Sequence, residues 1–221
     1  MKRLFSIVLG LLISIVSFAQ TDITKFLGIP VAGTKTAMIQ KLKAKGFTYH
    51  SATGELTGVF NGADVYLSVV TCNHKVWRIL VTERYSSDEA NIKIKFNNLV
   101  RQFNDNTKYI SVNDNIIPDA ESISYNMLVS KKRYEATFYQ KPVMDSAAIV
   151  REIQKTILKK YDKSTLDALT TEEKTKIIQD YLSKFISMKL VWFMISGDEL
   201  DRYRIMIYYD NMYNYPNGED L

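Results

Sequence analysis

The chain is predicted to fold as α+β, with one twisted antiparallel sheet of six to eight strands and helices packed mainly on one face. Three observations lead there. Strand-like and helix-like stretches come in groups, not in the strict alternation that builds parallel sheets. Strands are joined by short turns rich in Asn, Gly and Asp, which connect antiparallel neighbours. Finally, residues 189–213 hold two aromatic, β-branched runs, 190–195 and 203–209, separated by Ser196-Gly197-Asp198-Glu199-Leu200-Asp201. That pattern is a β-hairpin. The first run is apolar on both alternating sets, which places it inside the sheet with both faces at least partly covered. In the second, Tyr203, Ile205, Ile207 and Tyr209 share one face and Arg204, Met206 and Tyr208 the other. This hairpin is expected at the centre of the sheet.

From the amino end, residues 26–30 are a short connector. Thr34 can cap a helix whose narrow apolar stripe is Met38, Ile39 and Leu42, and Gly46 stops it in the left-handed conformation. Lys35, Lys41, Lys43 and Lys45 fall mostly off that stripe, as a solvated face does. Residues 56–60 turn at Asn61-Gly62 into 65–71, which turn at Asn73-His74 into 76–82, giving a three-stranded meander. Ser86 and Glu89 have capping-box spacing before a helix carrying Ile92, Phe96, Leu99, Val100 and Phe103 on one face.

Residues 109–112 are a short strand, and 123–129 with 134–139 make a hairpin around Ser130-Lys131-Lys132-Arg133. After Pro142, Asp145 can cap a helix bearing Ile149, Ile153, Ile157 and Tyr161. Thr170 with Glu173 forms a second capping box, opening a helix that buries Ile177, Ile178, Tyr181, Leu182 and Phe185. The recurrence of helix, strands and hairpin suggests a tandem duplication, with halves 26–140 and 141–221.

The chain has 221 residues, 46% of them hydrophobic and 24% charged, and one domain is the default at that length. Residues 1–19 are expected to be a signal peptide. Lys2 and Arg3 precede an apolar run, and Ser17-Phe18-Ala19 is a small-x-small cleavage site before Gln20. That run is about 15 residues against the roughly 20 that span a bilayer, so no membrane span is expected after cleavage and the mature domain is 20–221. The expected location is periplasmic or secreted. The single cysteine, Cys72, lies far from the cleavage site and cannot form an internal disulfide, so the core must hold the fold together. A formal charge of +5 is distributed over several helices and interleaved with acids, which argues against a nucleic-acid partner.

Residues 26–47 (FLGIPVAGTKTAMIQKLKAKGF), 75–79 (KVWRI) and 208–221 (YYDNMYNYPNGEDL) together resemble a group of uncharacterised exported proteins from Bacteroides-like bacteria. The resemblance covers nearly the whole mature chain, implies an envelope or secreted location, and carries no assigned activity or functional residues. At fold level the leading helix and meander are similar to modules of beta-lactamase-inhibitor proteins and of small outer-membrane assembly lipoproteins. The chain departs from the lipoprotein pattern in lacking a lipidated cysteine. Such likeness does not fix function.

Cys72-Asn73-His74 brings a thiol and an imidazole close in sequence, and a cysteine nucleophile needs such a base, so Cys72 with His74 or His50 is the candidate catalytic dyad. Asn73-His74 is good turn chemistry, and a structural cysteine with a turn histidine is the favoured reading over catalysis. One Cys and two His do not fill a zinc site without carboxylates, and no EF-hand spacing is present, so no metal or cofactor is assigned. Asp198, Glu199 and Asp201, and Asp210 with Glu219 and Asp220, are expected to be solvated acids, with an acidic hydrolase centre as the alternative. No phosphate loop, HExxH or GxSxG motif occurs.

Aromatic residues are the more suggestive feature. Trp77, Trp192, Tyr208, Tyr213 and Tyr215 are the candidate binding residues, on a sheet face or loop edge. Tyrosine and tryptophan give large contact area at low entropic cost. The leading expectation is therefore a non-enzymatic exported module that binds an envelope or extracellular protein, or a glycan. The alternatives are a hydrolase and a self-associating structural envelope protein.

Overall fold

A computed structural model describes residues 22–111, 113–143, 146–198, 201–216 and 218; the expected signal peptide and the Asp145 cap lie outside these. By contact the chain divides into a sheet unit, Thr24–Lys141 with Ser187–Leu221, and a helical unit whose described part is 22–23, 142–143 and 146–186.

The sheet unit begins with a two-residue hairpin, β1 (Lys25–Phe26) and β2 (Ile29–Pro30), where a plain connector was expected. Leu27 and Gly28 at φ 50° and 80° make the turn. Helix α1 (Lys35–Lys43) follows as anticipated: Thr34 accepts from the Ala37 N–H, Met38, Ile39 and Leu42 are buried, and Gly46 takes φ 95°. Four strands come next, β3 (Thr48–His50), β4 (Glu55–Phe60), β5 (Ala63–Cys72) and β6 (Lys75–Glu83). Then come α2 (Glu89–Asp105), β7 (Tyr109–Ser111), α3 (Ile123–Leu128) and β8 (Glu135–Gln140). The unit closes with β9 (Lys189–Gly197), β10 (Tyr203–Asn211) and a 3-10 turn, Met212–Asn214.

Eight of these strands form one antiparallel sheet in the order β3-β4-β5-β6-β10-β9-β8-β7. The β9–β10 hairpin, expected at the centre, lies inside the sheet with β10 and β6 as the two central strands, and is in register from Tyr203↔Gly197 to Asn211↔Lys189. The order consists of two four-stranded meanders, β3 to β6 and β7 to β10, joined where β6 meets β10. A helix, α1 or α2, leads each. The repetition expected with halves 26–140 and 141–221 therefore divides between Glu83 and Glu89 instead, because the second meander runs through β7 and β8 before the helical unit.

Helices α1 and α2 pack on one face of the sheet, α1 against β5 and β6, α2 against β7, β9 and β10. The five anticipated residues of α2 are all buried there with Phe26, Leu67, Ile79, Phe138, Phe193 and Ile205. Alternation along β9 and β10 is what puts Val191, Phe193, Ile195, Tyr203, Ile205, Ile207 and Tyr209 into this layer.

Three local expectations are corrected. Residues 123–129, expected as a strand, are a helix over Ile123–Leu128 capped at Val129. Ser122 accepts from the Tyr125 N–H, and Glu89 receives the Ile123 N–H at 2.5 Å together with the Ser124 hydroxyl, so the orphan donors of a helix start are met in place. β8 then pairs with β7 and β9 in place of the expected hairpin. Secondly, α2 is capped by Asp88, which accepts from the Asn91 N–H at 2.8 Å, while Ser86 receives the Arg202 guanidinium. Glu89, freed from the expected box, caps the other helix. Thirdly, Asp210 and Asn211 continue β10 and are buried, not solvated.

The helical unit contains α4 (Ser146–Lys160), α5 (Lys163–Ala168) and α6, Thr171–Ser187, which ends at its boundary. The capping box at its last helix forms as expected: the Thr170 N–H donates to Glu173 at 2.8 Å and the Glu173 N–H to Thr170 at 3.2 Å. Ile153 and Ile157 are buried, but α6 buries none of its stripe. Ile178 and Leu182 are exposed, contrary to the sequence expectation. No described helix is long and apolar enough to cross a membrane.

Candidate aromatic and arginine site on the open sheet face

The face of the sheet opposite α1 and α2 takes the other alternating set. From β10 come Arg204, Met206, Tyr208 and Asp210, and from β9 Leu190, Trp192 and Met194. Within this set Tyr208 and Asp210 are buried and the others half-buried. β6 joins through an irregularity. Val70 pairs with Arg78 but Thr71 with Val76, so Trp77 is an extra residue. Such a bulge sends two consecutive side chains to one side. Val76 and Ile79 accordingly both stay in the core, and Trp77 and Arg78 both leave it.

Arg78 is the hub. Its Nε and Nη2 donate to the two carboxylate oxygens of Asp210 at 2.6 and 2.7 Å, a bidentate pair. The Trp192 indole N–H donates to the same carboxylate at 2.9 Å. The guanidinium carbon lies 4.1 Å from the Trp77 ring centroid and 4.7 Å from that of Tyr208, within cation–π range of both. Tyr208 and Trp192 stack with centroids 3.9 Å apart and planes 6° from parallel. The result is a row of indole, guanidinium, phenol and indole across β6, β10 and β9. The Asp210 side chain is only 1% exposed and that of Arg78 20%, so the carboxylate is desolvated and the pair geometrically fixed.

The carboxyl-terminal segment completes the rim. Asn214 donates to the Val76 carbonyl at 3.0 Å, and Tyr215 meets Trp77 edge to face with centroids 5.2 Å apart. Four of the five expected binding residues, Trp77, Trp192, Tyr208 and Tyr215, thus share one neighbourhood. Tyr213 lies on the adjoining 3-10 turn, and it and Tyr215 are 53% and 51% exposed while Trp77 and Tyr208 are 8%. Sequence reasoning missed Arg78 and the place of Asp210. The signal available was the break in alternation at Val76-Trp77-Arg78-Ile79, which a bulge explains.

The candidate catalytic residues are arranged differently. Asn73 and His74 have φ 48° and 61° and form the β5–β6 turn. Cys72 pairs with Lys75 at the end of β5, and no hydrogen bond joins it to His74 among the described residues. His50 is hydrogen-bonded to Thr57 at 2.8 Å on the edge strand. Two strands and four residues separate it from Cys72, about 16 Å by strand geometry. Asp198 lies at the opposite end of the central hairpin from Asp210, about 26 Å away. Glu199, Glu219 and Asp220 lie outside the described residues.

A separate polar cleft of about 170 Å³ is lined by residues including Asp114, Ile117, Glu121, Lys132 and Tyr134. Its charges already answer one another. Glu121 receives Lys132, the Tyr134 hydroxyl at 2.6 Å and Asn126 at 3.2 Å, which holds its carboxyl below the usual glutamate range. Burial, followed by that bond to Glu121, pushes the Tyr134 hydroxyl up to about 12.

Comparison of the chain with family models, curated proteins and solved structures finds no match.

Proposed function

We propose that the protein is a non-enzymatic interaction module, exported by its leader to the periplasm or beyond. Its working surface is the open sheet face around Arg78, and its partner an envelope or extracellular protein. The supporting observation is the convergence of Trp77, Trp192 and Tyr208 on one guanidinium, with Tyr215 packed edge-on against Trp77 and both Tyr213 and Tyr215 half exposed. Trp, Tyr and Arg are the residues that dominate binding energy at protein interfaces. Here they are also pre-ordered by stacking and by the Asp210 pair, so little side-chain entropy remains to be lost on association. A protein partner suits this array better than a glycan. Tyr208 and Trp192 already give one face of each ring to the other, with Arg78 4.7 and 5.6 Å from their centroids, which reduces the flat surface on which a sugar ring could stack.

The test is recovery of a defined partner from envelope extract by wild type and by the double variant Tyr213→Ala/Tyr215→Ala. Wild type should retain a saturable partner that the variant loses, at unchanged thermal stability. An identical set of proteins on both would overturn the reading.

A further inference from the structure

Beside the aromatic row, the open face brings together two thioethers. Met194 and Met206 are direct register partners on β9 and β10, two interior strands, and both are half-buried. Directly opposed residues hold their Cβ atoms about 5 Å apart, and unbranched methionine adjusts its reach through three rotatable bonds. Each sulfur lies 3.8 Å from the Tyr208 hydroxyl oxygen, so both are turned toward the same polar atom.

Thioether sulfur is neutral, polarizable and carries no proton. It is a poor ligand for hard divalent cations and a good one for Cu(I). The neighbouring charges point the same way. The Arg133 Nη2 is 4.0 Å from the Met194 sulfur and Arg78 lies over the Tyr208 ring, which would penalise a doubly charged ion. Each guanidinium already has a carboxylate, Glu135 at 3.0 Å and Asp210 at 2.6 Å, so a single added positive charge meets a locally balanced field.

The geometry points to a soft monovalent cation site, with Met194 and Met206 as sulfur donors for Cu(I), or for Ag(I) as its redox-inert equivalent, and the Tyr208 oxygen between them as the third contact. The site goes beyond partner binding and does not depend on it. Because Trp192 stacks on Tyr208, the ion would sit close enough to an indole to quench its fluorescence.

The experiment titrates the mature chain with Ag(I), and anaerobically with Cu(I), following tryptophan fluorescence and metal stoichiometry by native mass spectrometry. Cys72 would compete as a thiolate, so the titration is run in Cys72→Ser as well as wild type. One equivalent should remain in Cys72→Ser, with saturable quenching. That equivalent should disappear in Met194→Leu and in Met206→Leu, swaps that conserve volume and leave the circular dichroism unchanged. Trp192→Phe should keep the metal and lose most of the quenching. Binding in Cys72→Ser should be flat between about pH 5 and 8, since no ligand proton is displaced, unlike a Cys or His site. Loss of all binding in Cys72→Ser, binding that survives Met194→Leu/Met206→Leu, or a steep pH dependence would each overturn the assignment.

Discussion

The two faces of the β9–β10 hairpin are built from neighbouring residues of the same strands, yet different physics holds them. On the helix side Phe193 stacks with Phe138 at 5.8 Å and meets Phe96 at 5.0 Å, and the layer is closed by apolar burial. On the open side no described helix of the sheet unit lies across the strands. Order there comes from directional contacts: a bidentate ion pair, an indole N–H and stacked rings. A hydrophobic layer tolerates changes that conserve volume, whereas a desolvated charge pair tolerates only changes that treat both partners together. One face can therefore serve as the scaffold while the other carries polar groups in fixed positions.

Substitutions on either side should separate these regimes. Phe193→Ala removes a fully buried ring that meets three others, Phe96, Phe103 and Phe138, and chemical denaturation should show a loss of about 4 kcal/mol. Asp210→Ala should cost about 3 kcal/mol, because Arg78 is left as an uncompensated charge on the open face. The comparison sharpens in the double replacement Arg78→Met/Asp210→Leu, which should recover most of that loss. If single and double variants are equally unstable, the pair is not the organising contact.

A smaller effect is expected where the two helix starts meet. The bond from the Ser124 hydroxyl, and then the Ile123 N–H, hold the Glu89 carboxyl below its ordinary value of 4.5. A depressed carboxyl contributes stability above that ordinary value and loses it as pH falls through the folded-state value. Glu89→Gln should therefore cost about 1 kcal/mol at neutral pH and progressively less in acid, read from denaturation midpoints between pH 7 and 3. The smallest change in stability, under about 0.5 kcal/mol, is expected for Tyr215→Ala, since half of that ring is already in water. Its effect should appear in partner binding instead.

Much of the scaffold was legible in the chain. The Asn61-Gly62 and Asn73-His74 turns, the single apolar face of α2 and the aromatic hairpin are local signals, and each appears where its chemistry demands. The misreadings have a common cause. Residues 123–129 have strand-forming composition, but their helix is stabilised by Glu89, some 34 residues earlier. The stripe on α6 is periodic, yet periodicity marks a face without supplying a surface to bury it. Of the site, the aromatic members could be named because rings in strands are conspicuous. Their convergence could not, since it depends on β6 lying beside β10.

By itself, then, the sequence determined the secondary elements that rest on near neighbours, and with them the antiparallel class, because turn chemistry and side-chain period act over a few residues. Only the tertiary structure decided that Arg78 would lie between Trp77 and Tyr208 and find Asp210, residues separated by 132 positions. A one-residue bulge and the joining of two meanders make that meeting, and neither leaves more than a broken alternation in the linear chain.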